Sequence, residues 1–171
     1  MRSPWIGLTL VAALAIGGCG DDKPKIDSKA DFVDAADKIC MKRDQRSTKL
    51  QTDLGTDDDL ARLSGSLADI YADAIGELRA VALPPGAARA GAKKYVDATA
   101  ALGTPVQQMK SASRDLESAV KTRKTVAVKN AGQQLQIRVN TVQALGEVAD
   151  AAARAYGMRN CGQAATVNPV S

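Results

Sequence analysis

Asp57-Asp58-Asp59-Leu60-Ala61-Arg62-Leu63-Ser64-Gly65-Ser66-Leu67-Ala68-Asp69-Ile70-Tyr71-Ala72-Asp73-Ala74-Ile75-Gly76-Glu77-Leu78-Arg79-Ala80-Val81 holds the clearest helical pattern in the chain. Leu60, Leu63, Leu67, Ile70, Ala74, Leu78 and Val81 recur at spacings of three or four, a near-perfect heptad and the signature of an amphipathic helix. Thr56 can cap its start, and the three aspartates fill the first turn, where the helix dipole favours acids. Asp57–Asp59 lacks the ligand spacing and closing glutamate of a calcium loop. Ser64-Gly65-Ser66 falls mid-helix and reads as small-residue packing, not as a nucleophile elbow.

The same period extends in both directions. Upstream, Ser28 with Asp31 three residues later resembles a capping box. The helix it opens sets Phe32, Val33, Ala36, Ile39, Cys40 and Leu50 largely on one face and runs to about Thr52. Downstream, Leu83-Pro84-Pro85-Gly86 stops the heptad helix, because proline cannot continue it. A third helical stretch follows from about Ala87 to Val120, with Tyr95, Ala98, Leu102, Val106, Met109, Leu116 and Val120 as its stripe. Gly103-Thr104-Pro105 interrupts that stretch, giving a kink or a split into two helices; Thr104 could cap and Pro105 could occupy a first turn. Of the two, the kink is the favoured reading. After Lys121–Lys124 the last helix runs to Tyr156 with Val128, Ala131, Leu135, Val142, Leu145, Ala149, Ala152 and Tyr156 on one stripe. Arg138 interrupts it, and Gly157 stands where a C-terminal cap belongs. Four stripes with short connections predict an all-α fold, an antiparallel up-down four-helix bundle.

The N-terminus carries a different signal. Arg2 precedes twelve uncharged residues, Trp5–Ile16. That run is too short to span a bilayer core of about 30 Å and has the proportions of a signal-peptide apolar region. Leu14-Ala15-Ile16-Gly17-Gly18-Cys19-Gly20 closes it and resembles the lipobox of bacterial lipoproteins. The resemblance implies a diacylglyceryl thioether on Cys19, further acylation (palmitate-type) at the new N-terminus, and a firm anchor, since two or more chains hold a protein stably. It divides the chain into a cleaved signal peptide (1–18), an acylated N-terminus and polar tether (19–27), a bundle domain (28–162) and a disordered tail (163–171). The expected location is the extracytoplasmic face of the cell membrane. The closing Tyr156-Gly157-Met158-Arg159-Asn160-Cys161-Gly162, the Asp37-Lys38-Ile39-Cys40 helix and the proline turn are similar to the small secreted or lipid-anchored helical proteins of high-GC Gram-positive bacteria. That resemblance implies location and fold, not chemistry.

The chain has three cysteines. With Cys19 lipidated, Cys40 and Cys161 remain as a pair in a disulfide-permissive compartment. Closing so long a loop is worth roughly 4–5 kcal/mol in the chain-entropy model. One geometric difficulty accompanies the pairing. The last helix should end beside the start of the first, while Cys40 lies about 18 Å further up. Either the segment after Gly157 folds back along the first helix, or that helix overhangs the bundle.

Composition narrows function by exclusion. There is no histidine, the commonest ligand of transition metals and the commonest general base. The glutamates outside the signal, Glu77, Glu117 and Glu147, are isolated, and no glycine-rich phosphate loop appears. No cofactor or metal is expected, and the chain reads as a non-enzyme. Net charge is +4, split into nine Lys/Arg against fourteen Asp/Glu over residues 20–78 and thirteen against five over 79–171. Lys110, Arg114, Lys121, Arg123, Lys124 and Lys129 form a candidate anion-contact patch around the turn between the third and last stretches. That turn should lie beside the acidic Asp57–Asp59 turn, at the end away from the membrane. Cell-wall polymer or a surface protein would suit it. Nucleic acid would not, because no aromatics are interleaved for stacking. The expected function is a non-enzymatic binding or structural module, with a carrier of a small apolar ligand or lipid between the helices, near Tyr95, Leu102 and Met109, as the alternative.

Overall fold

The computed structural model describes residues 25–50 and 56–162; Cys19 and the expected lipobox and signal peptide, residues 51–55 and the expected tail lie outside those residues. Among the described residues every regular element is a helix: α1 (Lys29–Thr48), α2 (Asp57–Ala80), α3 (Ala88–Ala101), α4 (Gly103–Lys121) and α5 (Thr125–Tyr156). Local chemistry sets the boundaries. Ser28 and Thr56 cap α1 and α2 through side chains that accept from the backbone N–H three residues on. Asp31 Oδ2 in turn accepts from Asp27 N–H, one residue before the cap, and from the Ser28 hydroxyl. Gly157, at φ 96°, ends α5 in a Schellman motif, with Met158 N–H reaching Ala153 O and Gly157 N–H reaching Arg154 O.

The third stretch is divided into α3 and α4 at Leu102, which serves as the last cap of one and the first of the other. Leu102 stays right-handed, so the chain keeps the same helical sense through the break. The cause is Pro105, which has no N–H to give the carbonyl four residues back. Pro105 does occupy the first turn of α4. Thr104 does not cap it, because the cap falls two residues earlier.

Two clusters form the core. The first joins Ile26, Phe32, Ala36 and Cys40 to Leu78, Ala92, Tyr95, Ala153, Tyr156, Met158 and Cys161. The second joins α2, α4 and α5 through Ala61, Ala68, Ile75, Val106, Met109, Leu116, Leu135 and Val142. α1 contributes to the first cluster alone. Its upper half is tied to α2 by Lys42–Glu77 (2.5 Å) and Arg46–Asp73 (2.8 Å) instead. These are exposed pairs, worth at most about 1 kcal/mol each. The face that α2 presents to α4 differs from the leucine stripe. Ala61, Ser64 and Ala68 are buried, whereas Leu60 is 40% exposed. Ser64-Gly65 meets the buried Ser113 of α4, and a Cβ on Gly65 would touch Ser113 Cβ at an ordinary 3.7 Å. Small residues let the two helices approach closely, and that approach turns Leu60 outward.

Candidate functional site

Cys40 and Cys161 are joined, with 2.08 Å between the sulfurs and 5.2 Å between Cα atoms. Both are buried. The geometric difficulty is resolved by the first alternative: beyond Gly157 the chain turns back and runs along α1. What holds it there is Asp37. Its Oδ2 accepts from Arg159 N–H (3.0 Å), and its Oδ1 accepts from Asn160 (3.0 Å) and Cys161 (3.1 Å) N–H. Three backbone donors that have left a helix and entered no other find their acceptor in one carboxylate, itself only 9% exposed. At the far side of this strap, Arg154 donates to Gly162 O at 2.7 Å. A Cβ on Gly162 would lie 2.5 Å from Arg154 Cγ, so glycine is needed for the close approach.

Aromatic side chains fill the space beneath the strap. Tyr156 meets Phe32 edge-on at 5.8 Å, carries Lys29 over its ring at 4.7 Å and donates its hydroxyl to Ala88 O at 3.1 Å. Gly91 faces the same ring. Tyr95 OH lies 3.5 Å from Cys40 Sγ. The disulfide sulfur has no hydrogen, so the phenol is the donor. Burial pushes Tyr95 up to about 12.

Above the disulfide, a second group of polar side chains gathers where α1, α2 and α5 meet. The Arg43 side chain is 12% exposed, pairs with Asp44 at 2.8 Å and lies over the Tyr71 ring at 5.5 Å. Asp150 from α5 is raised by burial, with Arg43 and Arg154 pulling the other way; Tyr71 is likewise raised by burial and lowered by Arg43. An arginine bound to its neighbour, a phenol and a half-buried carboxyl offer no nucleophile with an adjacent base. The cluster orders α1 against α2 and α5. No helical period could have pointed to it.

The candidate anion patch is only partly assembled. Lys121, Arg123 and Lys124 lie at the α4–α5 turn. Lys110 is drawn away to Asp69 of α2, and Lys121 is bound to Glu117 at 2.5 Å. Glu117 raises Lys121, and the charge of Asp58 adds to it, so the acidic start of α2 does lie near the basic turn. Arg114, Arg123, Lys124 and Lys129 are exposed, with no ion pair among the described residues. Arg123 takes the left-handed conformation (φ 54°) that closes α4. No family model, curated protein or solved structure matches the chain. Among the described residues no helix is long and apolar enough to cross a membrane, and no three Cys, Asp or Glu side chains gather to hold a metal ion. Tyr95, Leu102 and Met109, marked as a potential ligand groove, are buried in the two core clusters at 2%, 5% and 4% exposure.

Proposed function

We propose that this chain is an exported, lipid-anchored helical protein that binds or scaffolds instead of catalysing. The carrying observation is the buried Cys40–Cys161 bridge, which joins the first helix to the segment after the last across 121 residues. Cross-links of this kind persist in oxidising compartments, and they leave Cys19 as the odd cysteine within the lipobox-like run. The pairs Lys42–Glu77, Lys110–Asp69 and Arg138–Gln108 support an up-down order for α1, α2, the α3–α4 rod and α5. In that order the tether leaves from the end holding Lys29 and Tyr156, and the basic turn faces away from the membrane. Arg123, Lys124, Arg114 and Lys129 are then free to contact an anionic wall polymer or an acidic surface protein. Close packing around Tyr95, Leu102 and Met109 favours this module over a carrier of an apolar ligand.

The experiment is mass spectrometry of the protein recovered from cells, with fractionation. The expected mature chain begins at Cys19 with a diacylglyceryl mass, partitions with membranes and is released by Cys19→Ser. An unmodified cytosolic chain, with Cys40 and Cys161 open to an alkylating reagent, would overturn the proposal.

A further inference from the structure

We propose that the tether end of the bundle is a cationic face that rests on anionic phospholipid headgroups. Its centre is the turn between α2 and α3. Residues 78–96 hold four cations, Arg79, Arg89, Lys93 and Lys94, and no acid. Nine uncharged residues, Ala80–Ala88, separate Arg79 from Arg89. The turn is anchored from within. Pro84 is buried, Val81 and Leu83 pack against the first core cluster, and Gly86 takes the left-handed conformation at φ 66°. Ala82, Pro85 and Ala87 are left exposed at the tip. Tyr156 ties this turn to the place where the tether leaves: its hydroxyl donates to Ala88 O, and Lys29 lies over its ring. Ile26, just before α1, is held in the same core cluster.

Charge selects the occupant. At this end Asp27 pairs with Lys25, Glu77 with Lys42 and Asp97 with Lys93. Lys29, Lys38, Arg79, Arg89, Lys94 and Arg159 are exposed and make no ion pair among the described residues. Against them stand the carboxylates of Asp31, Asp34 and Asp37, so cations are in excess. Arg89 is not explained by its own helix. The first turn of α3 holds no acid, and a cation there opposes the dipole. A negative bilayer surface favours each nearby cation by roughly fivefold, within a screening distance of about 8 Å at physiological salt. An acylated Cys19 would stand six residues before Lys25, at most about 21 Å of extended chain. That reach keeps the face beside the leaflet, and tethering makes even a weak attraction effective. None of the large exposed apolar side chains among the described residues lies at the tip, so the contact is electrostatic and does not insert.

The orientation rests on the lipid-anchor reading, whereas the charge of the face does not. The test therefore uses the full chain made unacylated by Cys19→Ser, titrated with phosphatidylcholine vesicles and with vesicles containing phosphatidylglycerol. The N-terminal apolar run is common to both titrations, so the ratio of affinities reads charge. A preference for phosphatidylglycerol of more than about tenfold is expected at low salt, fading at high salt. Arg89→Glu with Lys94→Glu should cut that preference by about tenfold or more, and the pair Arg89→Gln with Lys94→Gln should give an intermediate loss. The melting temperature should hold, because both side chains are exposed and an acid at 89 suits the dipole. Equal binding to both vesicles, which would leave this end to an acidic protein, would overturn the proposal. So would an unchanged preference in the Glu variant, or a loss produced instead by Lys124→Glu with Lys129→Glu at the other end. The mass of the native N-terminus judges the anchor separately.

Discussion

Replacing Asp37 tests whether one carboxylate holds α1 to the rest of the molecule. Asp37→Ala removes the acceptor of three backbone donors at 3.0, 3.0 and 3.1 Å. A hydrogen bond to a charged group contributes about 1.5–3 kcal/mol, giving an upper limit of roughly 5–9 kcal/mol for three. The actual loss must be smaller. Arg159 is exposed and Asn160 half-buried, so their N–H groups can turn to water, whereas Cys161 is 1% exposed and cannot. The bridge also keeps the strap in place when its hydrogen bonds are gone. A loss of about 3 kcal/mol is therefore expected, most of it at Cys161, which lowers the melting temperature by roughly 10 °C for a domain of this size. Asp37→Asn should cost about 2 kcal/mol, because one oxygen survives and the new amide hydrogens face the donors. Denaturant unfolding with the bridge intact gives the total, and amide exchange at Arg159, Asn160 and Cys161 gives its location. A loss under about 0.5 kcal/mol with unchanged protection at Cys161 would show that the cross-link alone holds the strap, and the reasoning would fail.

Gly91→Ala would place a Cβ 2.5 and 2.8 Å from the Tyr156 ring. That ring is pinned by Phe32, Lys29 and Ala88, so thermal melts should show a loss of about 1–3 kcal/mol despite the gain in helix propensity. Gly76→Ala meets nothing within 4 Å and should instead gain up to about 1 kcal/mol in the same assay. Tyr95, ordinarily near 10 and raised to about 12, holds its proton in the folded state after the unfolded chain has released it. Its stabilising contribution is complete below pH 10 and is lost as pH rises towards 12. Denaturant titrations across that window should show stability falling for the native chain and a shallower fall for Tyr95→Phe. Arg123→Gly relieves a left-handed arginine and should raise stability by about 1 kcal/mol in thermal melts; an unchanged or lower value would mean that the arginine side chain does more than close α4.

Features encoded within a few residues were legible from sequence. Ser28, Thr56 and Gly157 work as caps because their chemistry acts on the nearest turn, and the stripes of α4 and α5 follow from their period. Cysteine parity reached across the chain only because an odd count leaves few pairings. Leu60 was misplaced because a stripe read by hydrophobicity favours large residues, while the α2–α4 contact selects small ones. Asp37 stands in sequence only as part of the Asp37-Lys38-Ile39-Cys40 run, with no role attached to its carboxylate. A carboxylate on α1 has no periodic signature, and its three donors lie more than 120 residues away in a segment with no regular structure. Arg43, Tyr71 and Asp150 were missed for the same reason, since three helices must be in place before they meet.

The placement of Asp37 bears on why the bridge lies where it does. α1 reaches the first core cluster through Phe32, Ala36 and Cys40 and contributes nothing to the second. Its other ties are exposed ion pairs of small value and the Arg43 group. Without the strap, α1 would have little beyond its lower half to hold it on the bundle. The disulfide fastens the strap at the point where α1 leaves the first cluster, and Asp37 fastens it one turn below. Cross-link and carboxylate therefore act on the same element from adjacent turns, and their contributions should not add. Removing both cysteines in an Asp37→Ala background should cost less than the sum of the separate losses, because without the bridge the strap is no longer held where Asp37 can accept from it.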